Sequence, residues 1–189
     1  MEPRGITEVS KVAIQAKLAN VGDFVKMDFL QQCLKKTLDF ETRKFVLITL
    51  AGIYEQRHMP LEAGKLLRHA AEINTTFEGK MNDFMKSADM LIKAAAFDEA
   101  RNSFGKALAS ASERQKPILR EQYKKAHFTV AEDYIKRDKR KHALEAYENL
   151  LALEFITPEE KRKAQIAALP LYEKLGKVQE FLALKKQLR

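Results

Sequence analysis

The stretch Lys93–Ser112, "KAAAFDEARNSFGKALASAS", decides how the rest of the chain is read. Phe97, Ala100, Phe104, Ala107 and Leu108 recur at steps of three and four residues down an otherwise charged segment, the spacing of one apolar helix face. Any buried amphipathic helix has that pattern, so what matters is whether the same letters return. Counted from Ala88, residues Leu91, Ala100, Phe104 and Ala107 stand at offsets of 3, 12, 16 and 19. The same offsets from Ala51 reach Tyr54, Ala63, Leu67 and Ala70, and from Ala131 they reach Tyr134, Ala143, Tyr147 and Leu150. An offset of 12 crosses a turn, where helical phase is normally lost, so amphipathicity alone does not produce three matches. The physical reading is a repeated helical hairpin. Small residues (Ala51, Ala88, Ala131 on one helix; Ala63, Ala100, Ala143 on the other) allow close approach. The larger neighbours fill the space beside them.

Composition agrees with an all-α chain. The 189 residues are 46% hydrophobic and 32% charged, with only seven Gly and five Pro to punctuate a sheet. Cys33 is the single cysteine, so no internal disulfide forms; a cytoplasmic setting and a buried small hydrophobe are expected. The first twenty residues lack a signal-peptide core, and no apolar run is long enough for a membrane span. "NTT" at Asn74 reads as a helix-start element. Net charge is +8, and residues 81–189, with 22 basic and 16 acidic side chains, carry +6 of it.

The small, aromatic and alanine positions above resemble the tetratricopeptide repeat, and Phe84 sits where that family places a bulky aromatic early in its first helix. The resemblance implies a right-handed α-α superhelix of about five hairpins. The family's turn glycine is Ala95 in one unit and Asp138 in another, and the unit-closing proline is missing. Units are spaced by 37 residues from Ala63 to Ala100 and by 43 from Ala100 to Ala143, against about 34 in the family. Longer units of this kind are similar to attachment-protein solenoids of vesicle traffic. One domain over 1–189 is expected, clearest over 43–153, with degenerate capping hairpins over 7–37 and 158–187. Helices are predicted near 7–20, 22–37, 41–57, 60–74, 77–95, 97–112, 116–137, 139–153, 158–175 and 177–187. Thr157 with Pro158 and Glu160, and Thr75 with Glu78, read as capping boxes; Pro60 opens a helix; Pro170 should kink one. The last helix is expected to expose Phe181, Leu184 and Leu188.

Catalytic and metal chemistry leave little trace. His58, His69, His127 and His142 are dispersed without a His-Glu-x-x-His pattern, and Gly64–Lys65 lacks a phosphate loop. Glu132–Asp133 and Glu159–Glu160 point differently around a helix and suit solubility and capping. No enzyme activity, cofactor or metal is therefore expected; catalytic residues converging from separate hairpins would be the remaining route to an enzyme.

The resemblance implies that first helices line a concave surface that binds a protein partner's helix or peptide. Position by position this falls on Phe45, Ile48, Glu55 and Gln56, then Asn82, Met85, Asp89, Ile92 and Lys93, then Lys125, Phe128, Glu132, Ile135 and Lys136. Ile48, Met85, Ile92 and Phe128 would instead be core if longer or terminal helices cover them. The clamp that grips acidic chaperone tails is not preserved, since its places hold Ile48, Gly52, Met85 and Asp89. The alternative is nucleic-acid or phosphate binding through "KRDKRKH", at Lys136, Arg137, Lys139, Arg140 and Lys141. The competing explanation of that run is a helix-hairpin turn whose cations complement a C-terminal dipole.

Overall fold

The computed structural model describes residues 10–188, and these form ten α-helices with no strand among the described residues. They are α1 (Lys11–Leu18), α2 (Asp23–Leu34), α3 (Phe40–Gln56), α4 (Pro60–Ile73), α5 (Phe77–Lys93), α6 (Phe97–Ser110), α7 (Lys116–Lys136), α8 (Arg140–Leu151), α9 (Pro158–Lys174) and α10 (Val178–Gln187). Residues 7–9 of the first expected helix lie outside the described residues.

Helix starts follow capping chemistry. Ser10, Asp39 and Thr76 each accept a bond from the backbone three residues on, and Thr157 and Glu160 form a reciprocal capping box. The cap of α5 is thus Thr76, not Thr75 as the sequence suggested. Asn74 makes the choice: its Oδ1 accepts the Thr76 amide at 3.2 Å while its Nδ2 donates to Asp83 at 2.9 Å, both side chains being buried. Pro170 lies within α9, which runs unbroken to Lys174.

The hairpin turns share one backbone device. His58, Ala95, Asp138 and Gly176 all have φ between 55° and 70°, in the left-handed region. In each turn the following N–H bonds the carbonyl five residues back: Met59 to Tyr54, Ala96 to Leu91, Lys139 to Tyr134 and Lys177 to Tyr172. The left-handed residue itself bonds three back, which completes a Schellman cap four times over. The backbone geometry is therefore that of the family's turn glycine even where the residue is His, Ala or Asp.

Those turns close the hairpins α3/α4, α5/α6, α7/α8 and α9/α10, while α1 packs mainly on α3 rather than closing a hairpin on α2. All fifteen template residues are buried. One core gathers Ile14, Leu30, Cys33, Val46, Leu50 and Met90; a larger one runs from Leu91 and Ile92 through Tyr134 to Leu184. Helix α5 belongs to both and joins the two. Burial pushes the Cys33 thiol above its ordinary pKa. At the far end Leu184 is core, contrary to expectation, and Leu175, Val178 and Leu182 are the exposed apolar residues. The register is turned because α10 packs on α9. No helix among the described residues is long and apolar enough to cross a membrane.

Candidate functional site

The first helices of successive hairpins meet around a cavity of about 610 Å³. Helix α3 supplies Ile48, Gly52 and Glu55; α5 supplies Asn82, Met85, Lys86, Asp89 and Met90; α7 supplies Leu119, Gln122 and Ala126. A second cavity, about 470 Å³, shares Glu55 and Met90 with it and continues past Lys93, Thr129, Glu132, Asp133, Lys136 and Arg137. A third, about 520 Å³, shares Ile48 and Gly52 and reaches Phe45, over whose ring Lys11 Nζ lies at 5.3 Å. Together they form one trough along α3, α5 and α7.

Polar groups in the trough fall into two kinds. Lys93 Nζ is 2.8 Å from Asp89 and 3.8 Å from Glu55, and Arg137 is 3.1 Å from Asp133, so these charges are answered internally. Lys86, Lys136 and Glu132 have no ion-pair partner among the described residues, and the Asn82 and Gln122 amides make no side-chain hydrogen bond there. An apolar floor with unengaged amides and ammonium groups is suited to holding a segment of another chain. No group of three or more His, Cys, Asp or Glu placed to hold a metal occurs among the described residues.

The expected site residues are divided by the structure. Ile48, Asn82, Met85 and Asp89 surround the main cavity; Lys93, Glu132 and Lys136 line the second and Phe45 the third. Ile92 is fully buried, at 0% exposure, and is a core residue rather than a groove residue. The reason is that the C-terminal half of α7 packs on the end of α5, where Tyr134 Oη donates to the Lys93 carbonyl at 2.9 Å. Phe128 is half-buried toward α9, its ring 6.3 Å from Tyr147 and covered by Lys163 Nζ at 4.9 Å, outside all three cavities. Lys125 and Ile135 are exposed outside them as well.

Leu119, Gln122 and Ala126 were not foreseen. Their signal was the long 43-residue spacing before Ala143, whose extra residues lengthen the N-terminal half of α7. Ile166 was also missed, although aligning the units on their turns finds it. Ten residues before the left-handed residue stand Ile48, Met85, Phe128 and Ile166, apolar in every hairpin and 39% and 54% exposed at the two ends.

The basic run sits at the α7–α8 turn. Arg137 pairs with Asp133, Arg140 with Asp138 at 2.8 Å and Lys141 with Glu145 at 3.9 Å, leaving Lys136 and Lys139 unpaired among the described residues. Three of the five cations thus have a carboxylate partner within the same hairpin.

Behind the trough, His127 is wedged between Phe97 and Tyr123, and neither ring nitrogen has a hydrogen-bond partner among the described residues. Burial pushes its pKa down to about 4, with the Arg101 charge adding to the shift. Beside it Lys124, also buried, donates to both Glu160 oxygens at 2.7 Å and pairs with Glu121 at 2.8 Å, tying α7 to the start of α9.

No family model and no curated protein matches the chain. Among solved structures it is similar to BtubC (BKLC) from P. vanneervenii at 15% identity and a TM-score of 0.39, over 94% of this chain and 76% of that one. It is also similar to MamA at 16% identity and a TM-score of 0.37, over 100% of this chain and 94% of that one. At these values neither protein carries a functional reading across, which rests instead on the chain's own geometry.

Proposed function

We propose that the chain is a single tetratricopeptide-like scaffold, without catalytic activity of its own, that binds a helix or extended segment of a partner protein in the trough along α3, α5 and α7. The supporting observation is the apolar residue ten before every hairpin turn: Ile48 and Met85 face the 610 Å³ cavity, with Leu119 and Met90 beside them. On a face with no partner these positions favour polar residues, and a row of apolar side chains between ammonium and amide groups is the lining that anchor residues of a peptide fill.

The test is selection of peptides from a random library on the immobilised protein, followed by fluorescence anisotropy against a variant with Ile48→Asp and Met85→Glu. Selected peptides should carry spaced apolar anchors and lose at least about tenfold in affinity to the variant, whose melting stays near wild type. Undiminished binding would refute the reading. Salt-sensitive retention of a single-stranded RNA, abolished by Lys136→Gln with Lys139→Gln, would favour the nucleic-acid alternative.

A further inference from the structure

We propose that the bound segment is acidic along one half, with its apolar anchors in the trough over α3 and α5 and its carboxylates beyond the cavities, over Lys125 of α7 and Lys163 of α9; this rests on the trough being the binding surface. The inference comes from the position thirteen residues before each left-handed turn residue, one helical turn from the apolar row. There the hairpins carry Phe45, Asn82, Lys125 and Lys163 in order, a change from aromatic to amide to ammonium along the molecule. Helices hold i and i+3 on one face, so each of these residues flanks its own apolar row residue.

Lys125 and Lys163 have no carboxylate within ion-pair distance among the described residues. Lys163 is not free to wander, because its Nζ lies over the Phe128 ring, which places the charge in the furrow between α7 and α9. Lys86, lining the main cavity, is likewise unpaired. Most carboxylates of this surface are already satisfied: Asp89 and Glu55 by Lys93, and Asp133 by Arg137. Among the described residues Glu132 alone lines the cavities as an unpaired carboxylate. An acidic segment would therefore meet Glu132 as one repulsion and Lys86, Lys125, Lys136 and Lys163 as four attractions on α5, α7 and α9, and a basic one the reverse. A phosphate polymer would also meet these cations, but it would leave the apolar cavity between Ile48 and Met85 unfilled, so carboxylates on a peptide with anchors fit better.

The experiment uses the full chain and two synthetic amphipathic peptides with identical Leu and Met anchors in one half, one bearing Glu and the other Lys in the remaining half. The Glu peptide should bind at least about tenfold more tightly at low salt, and Lys125→Glu with Lys163→Glu should reverse the preference. Lys125→Gln with Lys163→Gln, the milder change, should reduce it. A nitroxide on the acidic end should broaden amide signals of α9 and not those of α3. Equal binding of the Lys peptide, or no response to either pair of substitutions, would overturn the charge assignment and leave the trough standing. Binding by neither peptide, or binding indifferent to Ile48→Asp with Met85→Glu, would remove the trough reading itself. A polyuridylate oligomer that displaces the Glu peptide mole for mole would reassign the cations to phosphate.

Discussion

The joint between the first two clear hairpins and the joint between the next two are built in opposite ways. Helix α4 lies directly on α5: a Cβ on Gly64 would stand 2.8 Å from the buried Leu91 side chain, and Ser87 Oγ donates to the Gly64 carbonyl at 2.8 Å while touching Ser103 Oγ at 3.2 Å. Helices α6 and α7 hold their backbones apart, and rings fill the gap. Phe104 stacks on Tyr123 at 4.0 Å, and Tyr123 meets His127 edge-on at 4.8 Å. Equivalent elements of one repeat are thus spaced by glycine and serine in one place and by aromatics in the next. Beside this wide joint α7 packs on α5, and Leu119, Gln122 and Ala126 line the same cavity as Met85. The trough thus lies beside the looser joint.

Breaking the aromatic joint should have the largest effect. Phe104→Ala should cost about 3–5 kcal/mol in urea unfolding, since the site is too rigidly framed to collapse around the void. If the two joints are as different as described, hydrogen exchange should rise in α7 and α8 before α3 and α4.

Acid probes the same joint through His127. Its folded-state pKa of about 4 lies below the ordinary value of 6.5, so the unfolded chain takes up the proton first. Stability is full above pH 6.5, falls as the pH drops toward about 4, and levels below that; the contribution reaches about 3 kcal/mol. Carboxylates titrate in part of this window, so the measurement is the difference between wild type and His127→Phe, unfolded in urea at neutral and acid pH. Identical pH slopes would show that the ring is not held neutral by the joint.

The close joint has its own substitution. Gly64→Ala puts a methyl group against Leu91, which has no free space to retreat into, and should cost about 2 kcal/mol. By contrast Gly105→Ala in α6, where an added Cβ meets nothing within 4 Å, should be neutral or slightly stabilising. Ile48→Asp with Met85→Glu, on the trough lining, should change stability by only about 1 kcal/mol, Ile48 being exposed and Met85 half-buried at the edge of the core.

The hairpins were legible because their causes are local: a helix face repeats within a few residues, and Thr157 with Glu160 closes a cap without outside help. The cap of α5 shifted to Thr76 because a buried Asn74, fixed by Asp83 on the next helix, decides between adjacent threonines. Cavity-lining residues were legible where the turn sets the facing direction, as at Ile48 and Met85. Ile92 was misread and Leu119 missed for one non-local reason. Which residues α7 covers depends on how far Phe104 and Tyr123 hold it from α6, and no spacing within a single unit contains that distance.

Cys33 gives the N-terminal end a clock. The thiol lies in the core shared by α1, α2 and α3, deprotonates reluctantly, and has no cysteine partner. A thiol reagent reaches it only in states where this end of the core opens, so with reclosing faster than the reaction its modification rate under native conditions reads the population of those states, residue-specific and without mutation. Since α3 carries Ile48 and Phe45, a ligand seated in the trough should slow that reaction.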